Sequence, residues 1–276
     1  MDAPYQAGSD VHVLPAHLPL PGAGFLPINA FVLMAEEPVL VDTGLGMDSD
    51  DFIDALASIV KATDLRWLWL THDDTDHTGS IQRVLQACPH AKLVTHAMGA
   101  LRMSTWWQVP LDRVHAIRPG DRLPAGDRTL RAVPPPLFDN PTSTGFIDEA
   151  TGAFFSVDSF GAFIPEPAHS AADVPREALA GGMAAWACGD SPWVHLTDRQ
   201  LFAGVIDRVR QLEPTAIFSS HLPAAPGTSL DGFLDLLSSL PDAEPAVAPS
   251  NEEFGQLLAA MMATMPPAEA DVIVVP

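Results

Sequence analysis

Residues 71–77 read THDDTDH and directly follow the apolar run LRWLWL. The apolar run predicts a buried strand, and loops at strand ends are the usual place for functional side chains. If the segment stays extended, His72, Asp74 and Asp76 lie on the same side, because alternate residues share a face. A solvated turn would account for any one of these residues, but not for two histidines and three aspartates in seven positions. We therefore predict a metal site here, with His77 as a further ligand.

Strand and helix patterns alternate along the chain around this loop. Runs at 28–34 and 39–41 predict a β-hairpin before the loop. The alternation of elements predicts a layered α/β domain over residues 1–240. The other predicted elements are strands at 11–14, 65–70, 91–95, 146–148, 153–157 and 215–218, and helices at 51–62, 81–87, 197–212 and 229–240.

Residues 241–276 differ in composition from this domain. Residues 241–250 are rich in Pro and Ala and predict a linker, 251–264 follow a helical pattern, and 271–275 are apolar and predict a strand. We expect this tail to pack on the domain or on the partner of a homodimer.

The chain carries a strong negative charge. Its 276 residues include 14 Lys and Arg against 35 Asp and Glu, which gives a net charge of −21. Such a charge repels phosphate backbones and anionic membranes, so we expect no nucleic-acid or membrane partner. No signal peptide and no apolar run of roughly 20 residues is visible, which favours a cytoplasmic protein. Cys88 and Cys188 are too few for a disulfide framework and are interpreted as reduced core thiols.

The order of the motifs resembles the metallo-β-lactamase superfamily. Members carry a His-x-His-x-Asp-His motif after a strand, at the position of residues 72–77 here. The resemblance implies a metallo-β-lactamase-like αββα four-layer sandwich with metals at one edge. Further landmarks of the superfamily occur in the same order, namely Asn29, Asp42-Thr43-Gly44, Asp158 and His221.

Two departures from the hydrolytic members point to one branch of the superfamily. Those members have a histidine where this chain has Asp74, and a second one in a later turn, whereas residues 134–142 contain no histidine. A carboxylate at the first of these places is similar to the flavodiiron proteins and to the oxygen-binding di-iron proteins, which lack the flavodoxin domain. Asp139 follows His77 by 62 residues and precedes Asp158 by 19, close to the third histidine of that branch.

The resemblance also implies a ligand set, carried over residue by residue. Asp42 corresponds to a residue that braces the ligand loop by hydrogen bonds. His96, after the strand at 91–95, is a candidate at the edge of the site, with a structural role as the alternative. At the place of Asp139, Asn140 is an alternative ligand, and a vacant position is another. The implied set is His72, Asp74 and Asp139 for one metal and Asp76, His77 and His221 for the other, with Asp158 as the bridge.

A carboxylate-rich ligand set favours Fe(II) or Mn(II) over zinc. We expect two divalent ions, iron before zinc or manganese, and no FMN domain in this chain. A di-iron site would bind or reduce O₂, peroxide or NO, with electrons from an external donor protein. The alternative is a di-zinc hydrolase of a small ester, lactone or thioester, in which metal-bound hydroxide attacks. A degenerate site that only binds a partner is a third hypothesis.

The aromatic residues and the segment 160–196 carry weaker signals. Residues 160–196 could cover the pocket as a lid. Tryptophans in such numbers are most often core residues, with a pocket wall as the alternative. The tryptophans concerned are Trp106, Trp107, Trp186 and Trp193.

Overall fold

Two β-sheets packed face to face form the centre of the molecule. The computed structural model describes residues 1–264 of the chain. The first sheet contains, in spatial order, β1 (Tyr5–Gln6), β2 (Val11–Leu20), β3 (Gly24–Leu33), β4 (Val39–Val41), β5 (Trp67–Trp69), β6 (Lys92–Thr95) and β7 (Val114–Ala116). The second sheet contains β8 (Arg122–Ala125), β9 (Arg128–Val133), β10 (Gly145–Asp148), β11 (Ala153–Phe155), β12 (Ala216–Phe218) and β13 (Ala225–Pro226), from β8 at one edge to β13 at the other.

The helices of the described residues are α1 Ser49–Ile59, α2 Thr75–Thr78, α3 Ile81–Ala87, α4 Ala97–Met103, α5 Arg176–Asp190, α6 Arg199–Arg210, α7 Leu230–Ser239 and α8 Asn251–Thr264. Helices α1, α3 and α4 pack on the outer face of the first sheet, and α5, α6 and α7 pack on that of the second. Helix α8 is largely exposed. Within residues 1–264, no helix is both long and apolar enough to cross a membrane.

Successive residues of the central strands face different layers of the molecule. In β11, Phe155 enters the core between the sheets, whereas Phe154 joins the core beneath α5, α6 and α7. In β5, Trp69 faces the other sheet and Leu68 faces α1 and α3. Both faces of these strands are buried, which explains why their sequences are continuous apolar runs. The four layers confirm the predicted αββα sandwich.

The strand pairing is antiparallel at the start of the first sheet and parallel after β4. The hairpin predicted from residues 28–34 and 39–41 is confirmed, because β3 and β4 pair antiparallel. β4, β5, β6 and β7 are parallel neighbours, and so are β11 and β12. The loops that follow the carboxyl ends of β5, β11 and β12 contain the predicted metal ligands.

The prediction of a short strand at 11–14 was wrong in extent. β2 runs to Leu20 and forms a ten-residue hairpin with β3. Residues 15–20 were not predicted as strand because they contain Pro15 and Pro19, and proline usually interrupts a strand. On the edge of β2 that faces away from β3, the carbonyl of Pro15 accepts a hydrogen bond from the Asp2 N–H. The N–H that proline lacks would point to the same edge, so the hydrogen bonds between β2 and β3 are not affected. Pro19, four residues on, has the same orientation.

The segment 160–196 contains a helix that the sequence analysis did not predict. Helix α5 is rich in Ala and Gly, so it has little apolar periodicity. Gly182 allows it to lie against the chain at Phe163, since a Cβ at Gly182 would be 1.9 Å from the Phe163 carbonyl oxygen. The neighbouring Gly181 has nothing within 4 Å of the same position.

The tail is only partly described. Helix α8 agrees with the predicted helix at 251–264, and its apolar side chains Phe254 and Leu258 are 50% and 42% exposed. The predicted strand at 271–275 lies outside the described residues. The assignment of 1–240 as the domain and the packing of the tail therefore stay predictions.

The two adjacent glycines of α5 provide a matched test of this close packing. Gly182→Ala forces backbone apart and should lower the free energy of unfolding by about 1–3 kcal/mol. Gly181→Ala adds a methyl group to open space and favours the helix, so it should raise that free energy by roughly 0.5–1 kcal/mol. Urea unfolding followed by circular dichroism measures both changes. Equal effects of the two substitutions would contradict the packing described for α5.

Candidate metal centre

The loops that carry the predicted ligands meet at one edge of the sandwich. His72 follows β5 of the first sheet, whereas Asp158 and His221 follow β11 and β12 of the second. Because β11 and β12 are parallel, the loops after them leave the sheet at the same end. Nε2 of His72 lies 3.3 Å from Oδ2 of Asp158, so side chains from the two sheets are in direct contact.

One group of side chains surrounds Nε2 of His72 and is called position 1. Carboxylate oxygens of Asp74 and Asp139 lie 3.8 and 3.9 Å from this nitrogen. The three residues each offer one ligand atom, and these atoms all lie within 4.8 Å of one another. Ligand atoms bound at about 2.0–2.2 Å to one cation are separated by roughly 3–4.4 Å, so these atoms are close to the spacing that a shared cation requires.

A second group, called position 2, lies next to the first. Oδ2 of Asp76 is 3.6 Å from Nε2 of His77 and 3.5 Å from Nε2 of His221. Their ligand atoms also fall within 4.8 Å of one another. Both imidazoles are buried, whereas the Asp76 side chain is 28% exposed.

Asp158 lies between the two positions. Its Oδ2 faces His72, and its Oδ1 lies 3.2 Å from Nε2 of both His77 and His221. One oxygen therefore faces each position, as a bridging carboxylate would. All seven residues that the sequence analysis assigned as ligands are thus brought together.

Two buried atoms of this cluster have no hydrogen-bond partner among the described residues. They are Nε2 of His77 and Oδ1 of Asp158, which face each other at 3.2 Å without a well-aligned hydrogen bond. An unpaired buried polar atom costs about 1–3 kcal/mol, so proteins rarely leave one without a reason. A cation held between these atoms would satisfy both. The residues present therefore fit a metal centre.

Asp42 orients His77 from behind. Its Oδ2 accepts from Nδ1 of His77 at 2.8 Å and from the Thr71 hydroxyl at 2.8 Å, and its Oδ1 accepts from the Thr71 N–H at 2.8 Å. The carboxylate is buried and holds a proton of His77 on Nδ1, so Nε2 is the nitrogen directed at position 2. This geometry agrees with the bracing role that the resemblance implied for Asp42.

His221 is held in the same tautomer by a backbone carbonyl. Its Nδ1 lies 2.9 Å from the Pro27 carbonyl oxygen, which can only accept, so Nδ1 carries a proton and Nε2 is the nitrogen that faces the site. Asn29 supports the loop by donating to the carbonyls of Ser219 and Leu222 at 3.2 and 2.9 Å. Asn29 is thus a structural brace for the last ligand.

Backbone strain accompanies two of these residues. Asp42 has a φ of 58°, and Val157, directly before Asp158, also has a φ of 58°. A β-branched residue is seldom found in this left-handed region, and such conformations cluster where a side chain must be aimed. At Val157 the turn directs Asp158 into the cluster.

A polar network fixes the loop that contains Asp139. The amide of Asn140 donates to Asp73 at 3.1 Å and to Asp74 at 2.7 Å. Its carbonyl oxygen accepts from Arg102 at 3.1 Å, and Arg102 forms an ion pair with Asp73 at 2.9 Å. Asn140, the alternative ligand, therefore directs its side chain to Asp73 and Asp74, while Asp139 is the residue that faces His72.

The carboxylates of the cluster lie close together and close to imidazoles, and these neighbours, together with burial, shift their pKa values in opposite directions. Burial raises the pKa of Asp139 to about 8, and the neighbouring carboxylates of Asp74 and Asp158 add to this shift. Burial would also raise the pKa of Asp158, but the imidazoles of His72 and His77 outweigh it and hold that pKa well below its usual range. A divalent cation would take the place of the shared proton.

Asp190, at the end of α5, is a residue of the site that the sequence analysis missed. Asp139, Asp158 and Asp190 each place a carboxylate oxygen within 4.8 Å of the others. Burial raises the pKa of Asp190 to about 7, and the charge of Asp158 adds to the shift. Asp190 matches no ligand motif, so only the course of α5 reveals it.

The remaining candidates lie around the cluster. His96 caps α4, since its Nδ1 accepts from the Met98 N–H at 3.2 Å. The ring centroids of Trp186 and His221 are 4.5 Å apart. Trp193 donates to the Phe138 carbonyl at 2.6 Å, next to Asp139. Two tryptophans of the segment 160–196 thus contact residues in or next to the site, while Trp106 is 52% exposed.

Part of this chain is similar in sequence to flavodiiron proteins. The flavo-diiron protein FprA2 of Clostridium acetobutylicum is 24% identical over 140 residues, which are 50% of this chain and 35% of that protein. The rubredoxin-oxygen oxidoreductase of Megalodesulfovibrio gigas is 24% identical over 157 residues, 56% of this chain and 39% of that protein. The matched region therefore spans less than two fifths of either relative.

Solved structures show the same fold. The rubredoxin oxygen:oxidoreductase of Desulfovibrio gigas has a TM-score of 0.74 at 18% identity, over 88% of this chain and 62% of that one. The flavodiiron protein of Giardia intestinalis has a TM-score of 0.74 at 14% identity, over 87% and 60%. A family model described as "ODP family beta lactamase" matches residues 26–221. This chain belongs to the ODP beta-lactamase family.

Proposed function

We propose that the chain is a non-haem di-iron protein that binds or reduces a small oxidant, namely O₂, peroxide or NO. The observation that carries the proposal is the paired cluster around Asp158, with His72 on one side and His77 and His221 on the other. The names of the relatives, a flavo-diiron protein and a rubredoxin-oxygen oxidoreductase, support it.

The donor atoms favour iron over zinc. Position 1 offers one imidazole with the carboxylates of Asp74, Asp139 and Asp158, and sulfur donors are absent from both groups. Zinc sites are typically tetrahedral and rich in nitrogen or sulfur, whereas mixed imidazole and carboxylate sets with open positions suit Fe(II). The di-zinc hydrolase is therefore the weaker hypothesis, and metal analysis separates the two.

The protein residues hold and orient the centre. Asp42 and the Pro27 carbonyl keep protons on Nδ1 of His77 and His221, so that both Nε2 atoms are available as ligands. The bound irons would supply electrons and open coordination positions to the oxidant.

Access to the cluster is uneven. The histidines and Asp158 are buried, whereas the side chains of Asp74 and Asp139 are 36% and 29% exposed. A small molecule would therefore enter from the side of these aspartates. Phe138 and Trp193 form an aromatic wall next to Asp139, with ring centroids 5.1 Å apart.

The electrons must come from outside this cluster. Full reduction of O₂ to water takes four electrons, more than two Fe(II) ions release on oxidation to Fe(III). The proposal therefore includes an external electron-donor protein. A homodimer and a cytoplasmic location stay predictions.

Metal analysis of protein purified without oxygen is the first test. We expect about two iron ions per chain and a new near-ultraviolet absorption when O₂ is admitted to the reduced protein. Asp158→Ala removes the bridge and should abolish binding of both ions. Two zinc ions per chain together with turnover of a lactone or thioester would refute the di-iron proposal.

Asp42→Asn tests how the centre depends on the brace behind His77. The substitution removes the negative charge from Nδ1, so metal affinity at position 2 should fall about 10–100-fold. A competition titration with a chelator measures the affinity. Asp148→Asn is the matched control, because Asp148 is equally buried but pairs with Arg128 in the second sheet. A comparable loss of affinity in both variants would mean that Asp42 acts only through stability.

A further inference from the structure

Asp73 is the one aspartate of the loop 71–77 that belongs to neither metal position. Its side chain is only 5% exposed, and its partners lie on other elements of the fold. Oδ2 lies 2.9 Å from Nε of Arg102, in the last turn of α4. Oδ1 accepts from the Asn140 amide and from the Thr142 hydroxyl, each at 3.1 Å. This buried carboxylate therefore joins the loop 71–77 to α4 and to the loop of residues 134–144.

Arg102 connects the same two loops. Its Nε contacts Asp73, and its Nη1 donates to the side-chain oxygen of Asn140 at 3.1 Å. Both donors belong to one planar guanidinium group, so they fix Asp73 and Asn140 relative to each other. We call Arg102, Asp73 and Asn140 the clasp.

We propose that Arg102 is a positioning residue of position 1, and that it strengthens cation binding there although it is itself positively charged. The inference rests on the dinuclear centre proposed above. It adds a residue that offers the metal no ligand atom and acts only through its neighbours.

The clasp acts on the two most exposed ligands of position 1. Asn140 donates to Oδ1 of Asp74 at 2.7 Å, so Oδ2 is the oxygen that lies 3.8 Å from Nε2 of His72. Asn140 also directly follows Asp139 in the chain, so a fixed Asn140 fixes the backbone beside that ligand. The side chains of Asp74 and Asp139 are 36% and 29% exposed, so packing constrains them less than it constrains the buried His72.

Simple Coulomb repulsion predicts the opposite effect of Arg102. A guanidinium group near a divalent cation repels it, so its removal would raise the affinity. The side chain of Arg102 is 44% exposed and is paired with Asp73, so solvent and the ion pair weaken this repulsion. Loss of a residue that orients a ligand lowers metal affinity about 10–100-fold. We therefore expect orientation to outweigh repulsion, and the sign of the change distinguishes the two.

Titration with Mn²⁺ alone, followed by electron paramagnetic resonance, measures the effect. Wild-type protein should bind two ions that give a spin-coupled spectrum. Arg102→Met, which keeps the aliphatic part of the side chain, should bind the first ion like wild type and the second about tenfold more weakly. Arg102→Lys keeps the charge but not the planar fork, so it should recover only part of the loss. Asn140→Ala should resemble Arg102→Met.

Arg128→Met is the matched control. Arg128 pairs at 2.8 Å with Asp148, which is also buried, and both lie at the end of β9 and β10 opposite to the loop 134–144. This variant should bind both Mn²⁺ ions like wild type. Equal weakening of the second ion in Arg102→Met and Arg128→Met would mean that Arg102 acts through stability alone, and would overturn the inference. Unchanged or tighter binding in Arg102→Met would overturn it as well.

Hydrogen exchange of the metal-free proteins, followed by mass spectrometry, tests the clasp without any ion. The Thr142 N–H donates to the Asn140 side chain at 3.0 Å, and the Thr144 N–H donates to the Thr71 carbonyl at 2.9 Å. Arg102→Met should exchange amide hydrogens in residues 138–144 faster than wild type, while the segment around His221 stays unchanged. Equal exchange of 138–144 in the two proteins would show that Arg102 does not hold this loop.

The outcome is separable from that of the proposed function. If wild-type protein takes up zinc and no iron, the di-iron proposal fails, but the Mn²⁺ titration and the hydrogen exchange still show whether Arg102 holds position 1. If iron binds twice per chain and Arg102→Met changes nothing, the function stands and only the role of Arg102 falls.

Discussion

The rest of the site depends on the contacts that the buried carboxylate of Asp158 makes with three histidines. It joins the two sheets, because His72 and His77 come from the first sheet and Asp158 and His221 from the second. Burying a charge is costly unless opposite charges compensate for it. The three imidazoles provide part of that compensation, and their own orientation depends on Asp42 and the Pro27 carbonyl. The site is therefore a small set of mutually dependent contacts.

The sequence predicted the fold, and it predicted which His and Asp side chains lie together at one edge of the sandwich, because both leave local patterns. An apolar run followed by a dense group of His and Asp identified the loop after β5, and the landmarks after it follow the order of the superfamily. What remained hidden was non-local. Nothing in the residues around Asp190 indicates that α5 brings it to Asp139, and the proline-containing hairpin of β2 can be recognised only when its partner edge is known.

Position 1 and position 2 differ in how firmly they are held. His77 and His221 are fixed by hydrogen bonds within the core, whereas Asp139 lies on a loop that Asn140 and Arg102 attach to the loop of residues 71–77. Binding energy at a metal centre becomes folding energy when the site is not formed in the unfolded chain. If metal ions bind as proposed, the two positions should therefore contribute unequally to the stability of the folded chain.

The two prolines of β2 limit how copies of this chain can associate. An open strand edge invites another strand to pair with it, and a homodimer could form in this way. Pro15 and Pro19 remove two N–H donors from the outer edge of β2, and His17 between them pairs its side chain with Asp2 at 2.6 Å. Addition of another strand along this part of the β2 edge is therefore disfavoured.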